Sequence, residues 1–597
     1  MKRIVLVAAA ILSIPAEHIA APPHRMTFAR IGPAQTQLFV ANGDGKGERA
    51  LLPPGLDYSP AMSAGGLVVF TSERAGNADI YQVRLDGSGL ERLTENPAYD
   101  DQAAPSPDGQ TIAFVSSRGN GRTNIWLLDV KTKQARILTP GTGNDFRPSW
   151  SPNGEWIAFS SDRNTQPKRV PGQWEHLQST RLYIVRRDGS GLKSLTRGRG
   201  VVGTPRWSAD GTQIFFYETT EIGAWDAQSG DTTNDGTYIS SIDVATGVQK
   251  LQTTGKGVRL WPQPFATGGL GYLLKFAGGE AHLRIVNANG QASDGPRGQL
   301  RNPSWSADGA QVVYYKVIPG DFTIGPAFSR DPEFELTKIQ RASFPAFSPD
   351  GTRMAVGVNV KGSRQLVLMN PDGTGRTTLV EREGLSAFAP AWSPDGKQIA
   401  FSLGVYFRDP TRPRAEVGLI NADGTGFRSL VADEANNGFP SWSPDGSRIV
   451  HKKDGHLVIL TLATGASTNL TEPGPQRDNF PQWSPKGDWI MFTSDRERDE
   501  DFRLYLIRPD GTGLRKLTDS PGDAHSIWSP DGEWVVFSSA RMGFKDERAL
   551  AETIPQPYGE LFAVRPDGTG LRQLTDNQWE DATPTWKPAI EERTSTR

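Results

Sequence analysis

The chain has 597 residues, 65 Lys and Arg against 67 Asp and Glu, a net charge of −2 and no cysteine. Disulfides, cysteine metal sites and a lipid-bearing cysteine are thereby excluded, and the charge balance builds no field for nucleic acid or an anionic membrane surface. The 65 Gly and 44 Pro fall in clusters between apolar runs, the mark of many tight turns.

In chain order, Met1-Lys-Arg3 followed by the apolar run Ile4 to Ile14 reads as an export signal, too short for a bilayer span of about 20 residues. A signal peptide over residues 1–21 and a periplasmic or secreted protein without membrane insertion are expected. Three strands follow, at Met26–Ala29, Gln37–Val40 and Glu48–Leu52.

From there one pattern runs to the end. It is clearest as Pro148-Ser-Trp-Ser-Pro-Asn-Gly154, Pro390-Ala-Trp-Ser-Pro-Asp-Gly396 and Pro440-Ser-Trp-Ser-Pro-Asp-Gly446. Aligned on the Trp, it falls at Met62, Pro105, Trp150, Trp207, Pro264, Trp305, Phe347, Trp392, Trp442, Trp483, Trp528 and Trp586. Such spacing, of roughly 40–50 residues, marks propellers. Within 148–197, Pro148–Ser151, Trp156–Ser160, Arg181–Val185 and Leu192–Leu195 read as four strands. Pro-Asn-Gly and Asp-Gly supply the turns. The fold expected is all-β: twelve four-stranded blades.

These residues resemble the TolB-type β-propeller, whose repeats carry the same Trp-Ser-Pro-Asp-Gly turn, Ile-Ala-Phe strand and closing Leu-Thr. The resemblance covers residues 26–588 and implies envelope partners without naming one. Because the first blade strands start right after the expected signal, the separate N-terminal α/β domain that TolB carries is not expected here.

Ala582–Trp586 is a first strand with nothing after it, so the three N-terminal strands are expected to complete its blade and close the array. Twelve blades suggest two rings of six, with one twelve-bladed ring the alternative. Five residues before the Trp position stand Asp57, Asp100, Asp145, Asn437, Asp478, Asp523 and Asp581. A Phe followed four residues on by Arg recurs at Phe70, Phe114, Phe159, Phe492 and Phe537. On these marks the expected division is a discontinuous propeller of 26–200 plus 476–590, and a second of 201–475.

Two readings of the six Asp stand. They form an oxygen-rich cation site at one tunnel mouth, for which Ca²⁺ would be the ion, or they tie to the Arg between blades. No other cofactor is expected. Long loops at 164–180, 221–236, 403–415 and 542–560 are expected to crowd the junction between rings. Trp174, His176, Trp225, Tyr406 and Tyr558 are their candidate binding residues. The leading expectation is an exported scaffold binding an envelope protein or peptide. The alternative is a carbohydrate-active lyase or hydrolase using His525, Asp523 and Arg147 in a tunnel. No hydrolase elbow or phosphate loop is present, and the sequence sets no oligomeric state.

Overall fold

The computed structural model describes residues 24–588 apart from 64, 166–167, 170–175, 199, 230–235, 277–279, 361–362, 406–413, 498–500 and 551–558. Twelve four-stranded sheets dominate it. Every innermost strand ends on the position at which the sequence pattern was aligned, from Asp57–Met62 to Glu580–Trp586.

The pattern has a local cause. In Ser443–Ser447, Asp445 Oδ1 accepts from the Ser443 hydroxyl at 2.5 Å and from the Ser447 N–H at 3.0 Å. Gly446 takes φ 71°, a left-handed backbone that other residues adopt at a cost. The Trp ties blades together. Trp150, Trp392 and Trp442 each donate their indole N–H, at 3.0 Å, to the innermost strand of the preceding blade at Ala104, Ala346 and Ala391.

The innermost strands touch in two closed cycles of six. The leading ring runs through Asp57–Met62, Asp100–Pro105, Asp145–Trp150, Val201–Trp207, Val258–Pro264 and Leu300–Trp305, which returns to the first. The trailing ring runs through Ala342–Phe347, Ser386–Trp392, Asn437–Trp442, Asp478–Trp483, Asp523–Trp528 and Glu580–Trp586. Two six-bladed rings therefore hold, but not the division into 26–200 plus 476–590 and 201–475. The boundary falls between Gln311–Ile318 and Thr323–Ala327.

Closure also differs from the expectation. Only His24–Ile31 joins the C-terminal strand Glu580–Trp586, antiparallel to it. On its other side it lies parallel to Phe334–Gln340, and Thr323–Ala327 finishes that blade. Gln35–Asn42 and Arg49–Ala50 instead complete the leading ring's sixth blade against Gln311–Ile318. The N-terminal strands are thus divided between both rings. Each ring gains its last strands from distant chain, which closes its circle of six blades.

Candidate functional site

Each innermost strand carries a bulge three residues before its Trp position, where one residue holds positive φ and the register slips. Such bulges re-aim a side chain, and non-glycine residues rarely accept this backbone. In the leading ring the positions are Ser59, Gln102, Arg147, Thr204, Trp261 and Asn302. In the trailing ring they are Phe344, Ala389, Phe439, Phe480, His525 and Thr583.

The trailing set lines a funnel enclosing about 320 Å³. Phe439 and Phe480 meet edge to face with centroids 4.4 Å apart, and Phe480 meets His525 at 4.5 Å. Phe344 and Phe388 extend the cluster. Pro345, Pro390, Pro440, Trp392 and Trp442 form the rim. Among the described residues, no Asp, Glu, Lys or Arg lines it. Burial pushes His525 down to about 4, so the imidazole is neutral near pH 7. His525 Nδ1 and Ser526 Oγ are buried without a hydrogen-bond partner among the described residues. The funnel opens on the Trp-Ser-Pro-Asp-Gly turns, at the opposite end of the innermost strands from the long loops.

Three of the leading ring's positions, Gln102, Arg147 and Thr204, meet the trailing ring. The loop after Val535–Ser539 of the trailing ring enters their midst with four consecutive charged residues. Lys545, Asp546, Glu547 and Arg548 are 0%, 5%, 0% and 1% exposed. Arg147 grips Asp546 through two nitrogens, with Nε 2.9 Å from Oδ1. The Thr204 N–H and the Ser160 hydroxyl donate to Glu547 at 2.8 and 2.5 Å. Gln102 donates to the Lys545 carbonyl at 3.0 Å. Burial, and then the charge of Asp546, push Glu547 up to about 7. Burial and neighbouring Arg147 pull Arg206 down to about 10. Around this plug the rings are laced together. Asp576, held within its own ring by Lys545 and Arg330 at 2.6 Å each, accepts across the seam from the Tyr99 N–H at 3.2 Å, and Trp579 donates to Glu73 at 2.7 Å.

The residues singled out in the sequence fall as follows. Trp174, Tyr406 and Tyr558 lie outside the described residues, and His176 sits in the two-residue strand His176–Leu177. Trp225, on the helix Glu221–Ser229, lies under the Arg548 guanidinium at 4.3 Å; it is an internal contact of the seam. Of the long loops, the helix Glu221–Ser229 meets Arg548–Leu550 and the strand His176–Leu177 there, and most of 403–415 lies outside the described residues. The six Asp do not gather at one mouth. Three belong to each ring, and each carboxylate is held by an arginine of its own blade: Arg74, Arg118, Arg163, Arg496, Arg541 and, for Asp581, Arg30. The tie runs within blades, not between them. The Phe four residues before the Arg supplies the face on which the guanidinium rests, as at Phe70, Phe159, Phe492 and Phe537. Nor do His525, Asp523 and Arg147 converge. Asp523 is paired to Arg541, His525 faces the trailing tunnel, and Arg147 grips Asp546 in the leading one. Among the described residues no group of three His, Cys, Asp or Glu is placed to hold a metal ion. No described helix is long and apolar enough to cross a membrane.

The sequence reading passed over Phe344, Phe439 and Phe480. Their signal was the column three residues before the Trp, which holds Ser, Gln, Arg, Thr, Trp and Asn through Asn302 and, from Phe344 on, Phe at three of its six positions. That column also marks the ring boundary.

Residues 23–170 match a family described as the TolB beta propeller domain. A TolB homologue from Chlorobium luteolum is 31% identical over 155 residues, which cover 26% of this chain and 31% of that protein. The chain thus spans about a third of the length of this curated relative. Putative TolB from Agrobacterium tumefaciens aligns over 48% of this chain and all of that one, at 20% identity and TM-score 0.39. TolB from Acinetobacter baumannii aligns over 60% and 81%, at 18% identity and TM-score 0.34. The repeats and the matched domain make this a TolB-like propeller chain.

Proposed function

We propose that this TolB-like chain is an exported scaffold that binds a protein or peptide partner at the cell envelope, seated in the funnel of the trailing ring. One observation carries the reading. Of two tunnels built on the same bulged strands, the leading one is filled by the molecule's own loop, and the trailing one presents an uncharged aromatic and proline-lined concavity. Concave apolar sites with a few convergent polar groups are where binding concentrates, and aromatic anchors dominate such interfaces. The basic start and apolar run at Ile4–Ile14 support export.

The test is a pull-down from envelope extract with three proteins: wild type, Ala389→Glu and Trp174→Ala. Ala389 lines the funnel, so a carboxylate there sets a charge in its apolar wall. A partner kept by wild type and Trp174→Ala but lost from Ala389→Glu is the expected result. A partner lost only from Trp174→Ala would move the site to the loop face.

A further inference from the structure

The plug is held as a ligand is held. Arg147 meets one carboxylate with a paired grip, the geometry with which guanidinium reads carboxylates. The adjacent carboxylate takes a backbone N–H and a hydroxyl. Gln178 reads the main chain between them. Its amide donates to the Asp546 carbonyl at 3.1 Å and accepts from the Arg548 N–H at 2.6 Å. Gln102 adds the Lys545 carbonyl. Every one of these receiving groups belongs to the leading ring, whereas the loop belongs to the trailing ring. Without the loop, Arg147 would lose its paired carboxylate beside Arg206 and keep only the more distant charge of Asp101 from its own ring, and breaking a buried pair by removing one partner is costly.

We propose that the tunnel mouth of the leading ring is a peptide-binding site for two adjacent carboxylates, occupied here in cis by Asp546 and Glu547. The receiving set selects the ligand class. Paired guanidinium and N–H donors require two acids, and the bridging amide of Gln178 requires a peptide backbone, which a simple anion lacks. Tethering gives the loop an effective concentration on the order of millimolar, so a free acidic segment occupies the site when the loop is weakened or outcompeted.

The probe is a synthetic peptide of residues 544–549, Phe-Lys-Asp-Glu-Arg-Ala, with an Asn-Gln version as control. It is titrated into the full chain as wild type and as Asp546→Ala/Glu547→Ala. The double variant is expected to bind the acidic peptide at least tenfold more tightly than wild type does. That gain should vanish with the Asn-Gln peptide and on adding Gln178→Ala. Equal affinity of both proteins for the acidic peptide, with the double variant unfolding cooperatively, overturns the proposal. So does equal affinity of the double variant for the two peptides. Should the double variant not fold, hydrogen exchange on wild type decides. Faster exchange at Asp546–Arg548 under millimolar acidic peptide, but not under the Asn-Gln peptide, is expected, and unchanged exchange contradicts the proposal.

Discussion

The leading ring presents Ser, Gln, Arg, Thr, Trp and Asn at its bulged positions, and the trailing ring presents Phe, Ala, Phe, Phe, His and Thr. The backbone is the same in both: a left-handed residue, a register slip, then the Trp that ties the blade to its neighbour. What differs is the demand on the tunnel. One must receive four charged residues from the other ring, so its wall supplies a guanidinium, amides and backbone N–H groups. The other receives no charged segment among the described residues and is lined by aromatic rings. A propeller separates scaffold from site at the level of single columns in its repeat, so blade-forming residues and site-forming residues can be read apart.

The comparison can be broken most sharply at Arg147. Arg147→Ala strands the carboxylates of Asp546 and Glu547 in the leading tunnel. A loss of about 3–5 kcal/mol is expected, from removing one partner of a buried pair, read as a fall in the denaturant midpoint. A change below about 1 kcal/mol would mean that the plug is not held as described. In the trailing ring, Phe480→Ala removes a ring that touches both Phe439 and His525. About 3 kcal/mol is expected, the low end for a buried Phe because the funnel admits water. The same unfolding measurement checks it.

The contents of the two tunnels should also respond to pH in opposite senses. Glu547 has a higher pKa folded than its ordinary 4.5, about 7, so its protonated form favours the fold. Its contribution is full below the ordinary value and is lost as pH rises through about 7. His525 lies lower folded, about 4 against 6.5; its contribution is full above 6.5 and is lost as pH falls toward 4. Thermal unfolding across pH should therefore show Glu547→Gln gaining on wild type as pH rises from 4.5 to about 7, and His525→Phe gaining on it as pH falls from 6.5 toward 4. Parallel curves would contradict both assignments. The smallest effect belongs to the repeated tie. Arg74 is about a third exposed where it meets Asp57, and Arg74→Ala is expected to cost about 1 kcal/mol in the same assay.

The blades were legible because each Trp, Asp and Gly of the repeat acts locally, and a local bond leaves a local signature. The ring boundary was misread because the Asp–Arg mark does not follow rings. It occupies the first three blades of the leading ring and the last three of the trailing one, and Glu73, Ser117, Asp576 and Trp579 of those blades lace the seam. The exchange of N-terminal strands was hidden for a different reason: His24–Ile31 and Gln35–Asn42 are both competent strands, and only three-dimensional closure assigns them to different sheets. Lys545–Arg548 lies in the loop 542–560, which the sequence marks only by its length. Its burial depends on Arg147, nearly 400 residues away, a distance at which sequence pattern is silent.

Because the chain has no cysteine, one thiol can be placed at equivalent bulged positions of the two tunnels. Labelling rates are then measured for Gln102→Cys in the leading ring and Ala389→Cys in the trailing ring, each alone and each with Asp546→Ala added. The Ala389→Cys thiol should react rapidly in both backgrounds, and the Gln102→Cys thiol slowly until Asp546 is replaced. Equal rates at the two positions, or protection of Gln102→Cys that survives Asp546→Ala, would contradict a leading tunnel closed by its own partner ring and a trailing tunnel left free to bind.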